Sequence, residues 1–308
     1  MTPTQHPGGL GHIGELPVAR IGYGAMALAT PPPNDATALL RRAVELGVNH
    51  IDTASFYSDG EVNRRIRQAL SPYPDDLVVV SKVGARSVIG DIPLAPAQRP
   101  ADLRAAVEAD LTQLGLDHVP VVNLRRLDLG PGLRAEGDQM VDLDDQLAEM
   151  IALRDEGKIG AIGISAVPLD VVARALPAAI VCVQNAYSLL DRSQEETLRF
   201  CAEHAVAWAP YFPLGSSFPG FPKVADNPVV QRIAREVDAT PAQVGLAWLL
   251  AHAADTLLIA GTASITHLQE NLRAGDLTFS ADQLADLDAV RPGDLPHGDG
   301  VEAFLDEG

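Results

Sequence analysis

Short β-branched runs alternate with longer stretches of helical spacing along all 308 residues, and this predicts a (β/α)8, or TIM, barrel. The strand candidates number eight, which fits a closed barrel better than an open doubly wound sheet. A hydrophobic content of 47% supplies one large core, and no fixed-period repeat, low-complexity tract or linker divides the chain. A single domain over residues 1–308 is therefore expected.

The expected strands run over Ala19–Tyr23, Val48–Asp52, Leu77–Val83, Val119–Leu124, Ile159–Ile164, Ile180–Gln184, Val206–Pro210 and Thr256–Ile259. Helices are expected between them over Asp35–Leu46, Glu61–Leu70, Ala101–Leu114, Leu143–Glu156, Glu195–His204, Pro241–Ala251 and Ser264–Arg273. Asn34 and Thr240 stand where a side-chain oxygen can cap a first turn, and Pro241 suits a first helical position, where its missing N–H costs nothing. The Gly- and Pro-rich stretches 84–100, 127–141, 212–227 and 292–308 follow strands or close the chain, so they are candidate covers for substrate and cofactor.

A balance of 41 acidic against 23 basic residues gives a formal net charge of −18. Such a surface repels nucleic-acid phosphates and anionic headgroups, which argues against nucleic-acid and membrane partners. An anionic cofactor must then be held locally, by helix N-termini and a few arginines. MTPTQHPGG lacks the basic-then-apolar pattern of a signal peptide, and the apolar stretch VGLAWLLAHAADTLLIAG is interrupted by His252 and Asp255, so a cytoplasmic protein is expected. Cys182 and Cys201 are too few for a disulfide framework, and His12, His118 and His204 lack metal-ligand spacing, so no metal is expected. Arg41, Arg42, Arg64, Arg65 and Arg67 read as solvated helix faces. Gly22, Gly24 and Ala27 in GYGAMA imitate a dinucleotide turn, but the helix-length spacing and the ribose-binding acid are not met.

In a barrel strand alternate residues face inward, and those at the C-terminal end reach the active face. Asp52, Lys82 and Arg125 each end a candidate strand, and Tyr57 follows Asp52 by five residues in IDTASFY. A phenol, with its ordinary pKa of ~10, becomes a ready proton donor beside an ammonium that stabilises phenolate, and a carboxylate can hold that ammonium. On spacing alone two readings stand: a proton-transfer centre, or a structural Asp52–Lys82 ion pair with Tyr57 as an ordinary loop aromatic. Arg125 shares the parity of Val121 and Asn123, so all three face inward if Val121 does. Its alternative fate is an ion pair at the barrel mouth, with Arg126 turned outside.

HIDTASFY, VVSKVG, GISA, VQNAYS, PYFPLGSS and IAGTASITHLQEN occur in this order over nearly the whole chain and resemble the aldo/keto reductase family. VNHIDTASFY, VVNLR, IVCVQNAY and SITHLQEN look most like its bacterial pyridoxal reductase branch. The resemblance implies that Tyr57 is the general acid for carbonyl reduction and that Lys82 and Asp52 tune it. It also implies a nicotinamide cofactor. Gly24 would lie near the nicotinamide, Ser165 and Gln184 would bond its carboxamide, and Tyr211 would stack on its ring. Leu214, Gly215 and Ser217 would lie over the pyrophosphate, with Gly261, Thr262, His267 and Asn271 at the adenosine end.

Three positions depart from the family pattern. Arg125 stands where most members have a carbonyl-orienting histidine, and Ala166 replaces the asparagine of GISN. Gly261 and His267 stand where basic residues are usual at the 2′-phosphate, so NADPH is the expected cofactor with NADH left open. The resemblance implies reduction of an aldehyde to an alcohol, pyridoxal to pyridoxine foremost, with Arg125 helping to hold the oxygen. Another aldehyde or a sugar would use the same residues. A cofactor-sensing regulatory subunit is the reading from a different class, and the intact Tyr57, Lys82 and Asp52 set stands against it. The small-molecule carbonyl substrate is the only partner expected, and the oligomeric state is left open.

Overall fold

The computed structural model describes residues 6–90, 94–129, 133–215 and 222–291. In chain order the strands are β1 (Leu10–Ile13), β2 (Leu16–Ala19), β3 (Tyr23–Gly24), β4 (His50–Asp52), β5 (Val78–Val83), β6 (Ala85–Ser87), β7 (Leu94–Pro96), β8 (Val119–Arg125), β9 (Ile159–Ser165), β10 (Ile180–Gln184) and β11 (Ala207–Trp208). The helices are α1 (Pro33–Glu45), α2 (Glu61–Leu70), α3 (Pro100–Leu114), α4 (Leu143–Asp155), α5 (Leu169–Ala175), α6 (Glu195–Glu203), α7 (Pro228–Glu236), α8 (Pro241–His252), α9 (Ile265–Arg273) and α10 (Ala281–Ala289).

Seven strands form a parallel sheet in the order β11-β10-β9-β8-β5-β4-β3. The expected eighth strand closes it, but with one bridge to each neighbour instead of a ladder: Thr256 pairs with Trp208 and Leu258 with Ile21. Leu257 N donates to Trp208 O at 2.8 Å, and Leu258 N donates to Arg20 O at 2.7 Å. Strand alternation then divides the apolar residues. Val78, Val80, Val121 and Leu257 fill the barrel interior, while Val79, Val122, Ile162 and Leu258 pack under the helices. The β1–β2 hairpin, which the sequence reading did not anticipate, adds Ile13 and Val18 to the interior cluster.

Several expectations are corrected. Asn34 does not cap α1: Pro32 precedes a helix that begins at Pro33, whose fixed φ suits that position, and Asn34 falls in its first turn. Thr240, by contrast, forms a full capping box with Gln243. The 84–100 stretch is not all loop, because β6 and β7 pair antiparallel within it and Pro100 already begins α3. The 127–141 stretch contains a 3-10 turn at Gly137–Gln139. The expected loop 212–227 ends in Asn227, whose side chain caps α7 through Val229 N and Val230 N. The 292–308 stretch lies outside the described residues. Arg65 is not a solvated face: its side chain is 12% exposed and reaches the carbonyls of Leu28 and Pro31 at 2.5 and 2.7 Å. Arg41 and Arg67 are exposed, as expected, while donating to the Ala69 and Thr112 carbonyls.

Candidate active site

Asp52 and Lys82 end or nearly end β4 and β5, and both side chains are buried at the C-terminal mouth of the barrel. The Lys82 ammonium donates to Asp52 Oδ1 at 2.5 Å, to the Thr53 carbonyl at 3.0 Å and to the Tyr57 hydroxyl at 2.9 Å. Burial acts to lower the lysine pKa, but the Asp52 carboxylate and the Tyr57 oxygen more than offset it and hold the pKa above the ordinary value. The two readings left open by spacing therefore merge: the ion pair exists, and its ammonium holds the phenol.

Tyr57 reaches this position by a strained turn. Ser58, Asp59 and Gly60 follow it at φ +49°, +52° and +76°, a left-handed run that L residues adopt at a cost. The Phe56 ring meets Tyr57 edge-on at 5.4 Å. Ser87 on β6 donates to Phe56 O at 2.8 Å and accepts from Asp59 N at 3.3 Å. The β6–β7 hairpin thus props the loop that carries the phenol, a support no local sequence signal pointed to.

Gln184, at the end of β10, donates from Nε2 to Asp52 Oδ2 at 2.7 Å. Its Oε1 is buried and has no hydrogen-bond partner, as is true of both polar atoms of the Asn123 side chain. Ser165 ends β9 and is buried. Ala166 follows it at φ +56°, and the Ala166 carbonyl accepts from Asp128 N and Leu129 N at 3.1 and 3.0 Å. Asparagine tolerates that conformation better than alanine does.

Val121 lies in the interior cluster, so Arg125 shares an inward parity. Among the described residues no acid pairs with Arg125. Burial lowers its pKa while the oxygens of Tyr211 and Tyr57 act in the opposite sense, which puts its guanidinium within electrostatic reach of both rings. The ion pair falls to Arg126, which bonds Asp128 at 2.8 Å and Gln146 at 2.5 Å. Gln98, missed by sequence reading, fixes the strand ends: its Nε2 donates to Gly84 O at 2.5 Å and Arg125 O at 2.8 Å.

The remaining expected residues ring the same mouth. Tyr211 bridges Ala186 and meets Phe212 edge-on at 5.0 Å. Gly24 and Gly261 touch: a Cβ on Gly24 would lie 2.4 Å from Ile259 O, and one on Gly261 would lie 2.5 Å from Gly24 O. Only glycines allow that approach. Thr262 O accepts from Tyr23 OH at 2.6 Å, and Thr262 Oγ1 accepts from Ser264 N at 3.1 Å. Ser264 caps α9, with His267 exposed in the first turn and Asn271 half-buried further along. Leu214 and Gly215 are half-buried, and Gly215, at φ +89°, packs against the Pro222 carbonyl. Ser217 lies outside the described residues.

The sequence matches the profile of the aldo/keto reductase family over residues 20–292. The chain belongs to that family. It is 41% identical over 286 residues to the pyridoxine 4-dehydrogenase of Escherichia coli strain K12, covering 90% of this chain and 96% of that protein. Its fold is similar to an aldo/keto reductase from Klebsiella pneumoniae in complex with NADP and acetate, with a TM-score of 0.74, 28% identity, and coverage of 90% and 92% of the two chains. It is also similar to the holo form of an aldo/keto reductase from Bacillus halodurans, with a TM-score of 0.72, 26% identity, and coverage of 90% and 93%. The chain is thus an NAD(P)H-dependent oxidoreductase with a (β/α)8 barrel that acts on small carbonyl compounds. Among the described residues no helix is long and apolar enough to cross a membrane.

The residues present fit such a cofactor. The unpartnered Gln184 Oε1 can accept a carboxamide N–H without Nε2 leaving Asp52, and the Gly24–Gly261 contact is a place where backbone replaces side chain. The capped N-terminus of α9 offers free N–H groups to a phosphate.

Proposed function

We propose that this enzyme reduces pyridoxal to pyridoxine, using NADPH, with Tyr57 as the proton donor. The observation that carries the reading is the single Lys82 ammonium bonded to both Asp52 and the Tyr57 hydroxyl. When bound, the cofactor supplies the hydride. Tyr57 passes its proton to the developing alkoxide, Lys82 stabilises the phenolate left behind, and Asp52 keeps the ammonium in place.

Gly24, Ser165, Gln184 and Tyr211 hold the nicotinamide end in this reading. Leu214, Gly215 and Ser217 cover the pyrophosphate, and Gly261, Thr262, His267 and Asn271 face the adenosine end. With no arginine or lysine between Gly261 and Asn271, a 2′-phosphate relies on His267 and the α9 N-terminus, so NADH remains usable. A cytoplasmic setting belongs to the same proposal: both cysteines are free and buried, and the −18 charge disfavours nucleic acid and anionic membranes.

Arg125 favours pyridoxal among aldehydes. Its guanidinium has no acid partner among the described residues and offers several donors, which suits a substrate with an aldehyde beside an acidic ring hydroxyl. The relative named for pyridoxine at 41% identity supports the same choice. Steady-state kinetics of wild type and Arg125→Met on pyridoxal and on a plain aromatic aldehyde test it. The variant should lose about 10- to 100-fold in kcat/KM on pyridoxal, the worth of a charged hydrogen bond, and clearly less on the plain aldehyde. Equal losses would make Arg125 a general carbonyl-orienting group, and tight cofactor binding with no turnover of any carbonyl would overturn the enzymatic reading.

A further inference from the structure

Asp110 lies on α3, fully buried, and nothing in the chemistry above uses it. Its Oδ2 accepts from Ser81 Oγ at 2.7 Å and its Oδ1 from Asn63 Nδ2 at 2.8 Å. Ser81 immediately precedes Lys82 on β5. Because strand residues alternate, Ser81 turns out to the helices while Lys82 turns into the barrel. Asn63, on α2, accepts at Oδ1 from Thr53 Oγ1 at 2.7 Å, and the carbonyl of the same Thr53 accepts from Lys82 Nζ at 3.0 Å. Two short routes therefore run from Asp110 to Lys82, one along β5 and one through Asn63 and Thr53.

The surroundings of this carboxyl are otherwise neutral. From β5 it meets the Ser81 hydroxyl and, at longer range, the Lys82 charge; from α2 it meets the Asn63 amide, whose Nδ2 also donates to Gln113 Oε1 at 3.0 Å. No cation bonds to it directly among the described residues. A buried carboxyl without such a partner is a costly filler between helix and sheet, where a neutral side chain would pack as well. Its position gives it another use. It lies on the outer side of the sheet while Asp52 holds the ammonium on the inner side, so two carboxyls approach β5 from opposite faces.

We propose that Asp110 is a positioning residue of the proton-transfer centre, setting the placement and charge of Lys82 through Ser81 and the Asn63–Thr53 pair. This rests on the reading of Tyr57 as proton donor. Burial pushes the Asp110 carboxyl up to about 7, although Ser81, Asn63 and Lys82 all pull it down. Below neutrality it is a neutral acid. Ionisation above neutrality adds a negative charge behind Lys82, which binds the ammonium more firmly and makes Tyr57 hold its proton more tightly. Carbonyl reduction should slow as pH rises through that range.

The test is the pH profile of kcat for aldehyde reduction in wild type, Asp110→Asn and Ser81→Ala. Wild type should show a fall of about three- to tenfold near neutrality, the size of a charge effect across several ångströms of protein. Asp110→Asn, which keeps the shape and removes the titration, should lose that step with its cofactor affinity unchanged. Ser81→Ala removes a hydrogen bond that favours the carboxylate, so its step should move to higher pH. Identical profiles in wild type and Asp110→Asn would overturn the proposal. If Asp110→Asn does not fold, an unshifted step in Ser81→Ala would overturn it. The parent reading fails separately: full reduction by Tyr57→Phe would remove the proton donor whatever the profiles show. The proton linkage also has a sign in folding. A carboxyl raised in the fold contributes stability that is complete below its unfolded pKa and lost as pH rises through about 7. Asp110→Asn should therefore gain on wild type in thermal melts between about pH 4 and pH 7, and hold that gain above.

Discussion

The two halves of the barrel interior are built to opposite rules. The deep half, toward the N-terminal ends of the strands, is an apolar plug of Ile13, Val18, Val78, Val80, Val121, Cys182, Ala207 and Leu257. His50 is a polar exception there, and burial pushes its pKa down to about 4, so it packs as a neutral ring. The mouth holds Asp52, Lys82, Gln184 and Asn123, of which Gln184 and Asn123 keep buried polar atoms without partners. Left-handed backbone does not divide in this way: Ser58, Asp59, Leu127, Ala166 and Phe212, all at positive φ, follow the C-terminal ends of strands, while Ala179 and Ala205 precede β10 and β11 at the other end. Polar burial at the mouth costs stability, and the apolar half supplies the packing that offsets it. The difference teaches that in this fold, chemistry and stability are assigned to different ends of the same strands.

The sharpest way to break that division is at the phenol. Tyr57→Phe keeps the ring against Phe56 and removes the proton donor, so kcat for carbonyl reduction should fall about 10²- to 10⁴-fold, with melting temperature and cofactor affinity nearly unchanged. Turnover at the wild-type rate would end the mechanism, and a large loss of stability would show that the mouth also carries the fold. At the other end, Val121→Ala should lower stability by about 2 kcal/mol, from lost transfer energy and a residual cavity, while leaving kcat alone. Denaturant midpoints and kinetics on one preparation decide it, and a fall in kcat without a fall in stability would reverse the assignment. The smallest effect is expected at the mouth's backbone. Ala166→Gly relieves a left-handed alanine and should stabilise the protein by about 0.5–1 kcal/mol; an unchanged or lower stability would mean that the turn stores no strain.

Strand parity and spacing were enough to bring Asp52, Lys82 and Arg125 to one mouth and to set Tyr57 one short loop away, because a period of two is written directly in a strand's residues. The same parity left Arg125 and Arg126 with an ion pair to divide between them, and only the positions of Asp128 and Gln146 assigned it to Arg126. The eighth strand was legible as an apolar run, yet its two lone bridges depend on where Trp208 and Ile21 come to rest. Thr240 announced its helix because a capping box is local; Asn34 did not cap because two neighbouring prolines set the backbone first. Ser87 under Phe56, Gln98 across two strand ends and Asp110 behind Lys82 left no mark in the sequence. Each joins segments from about 14 to 31 residues apart along the chain, and the period of a strand or helix says which face a side chain takes but not which distant atom will meet it there. The residues of the proposed proton-transfer centre could thus be named from sequence, and the contacts that hold and tune them were decided only when the barrel closed.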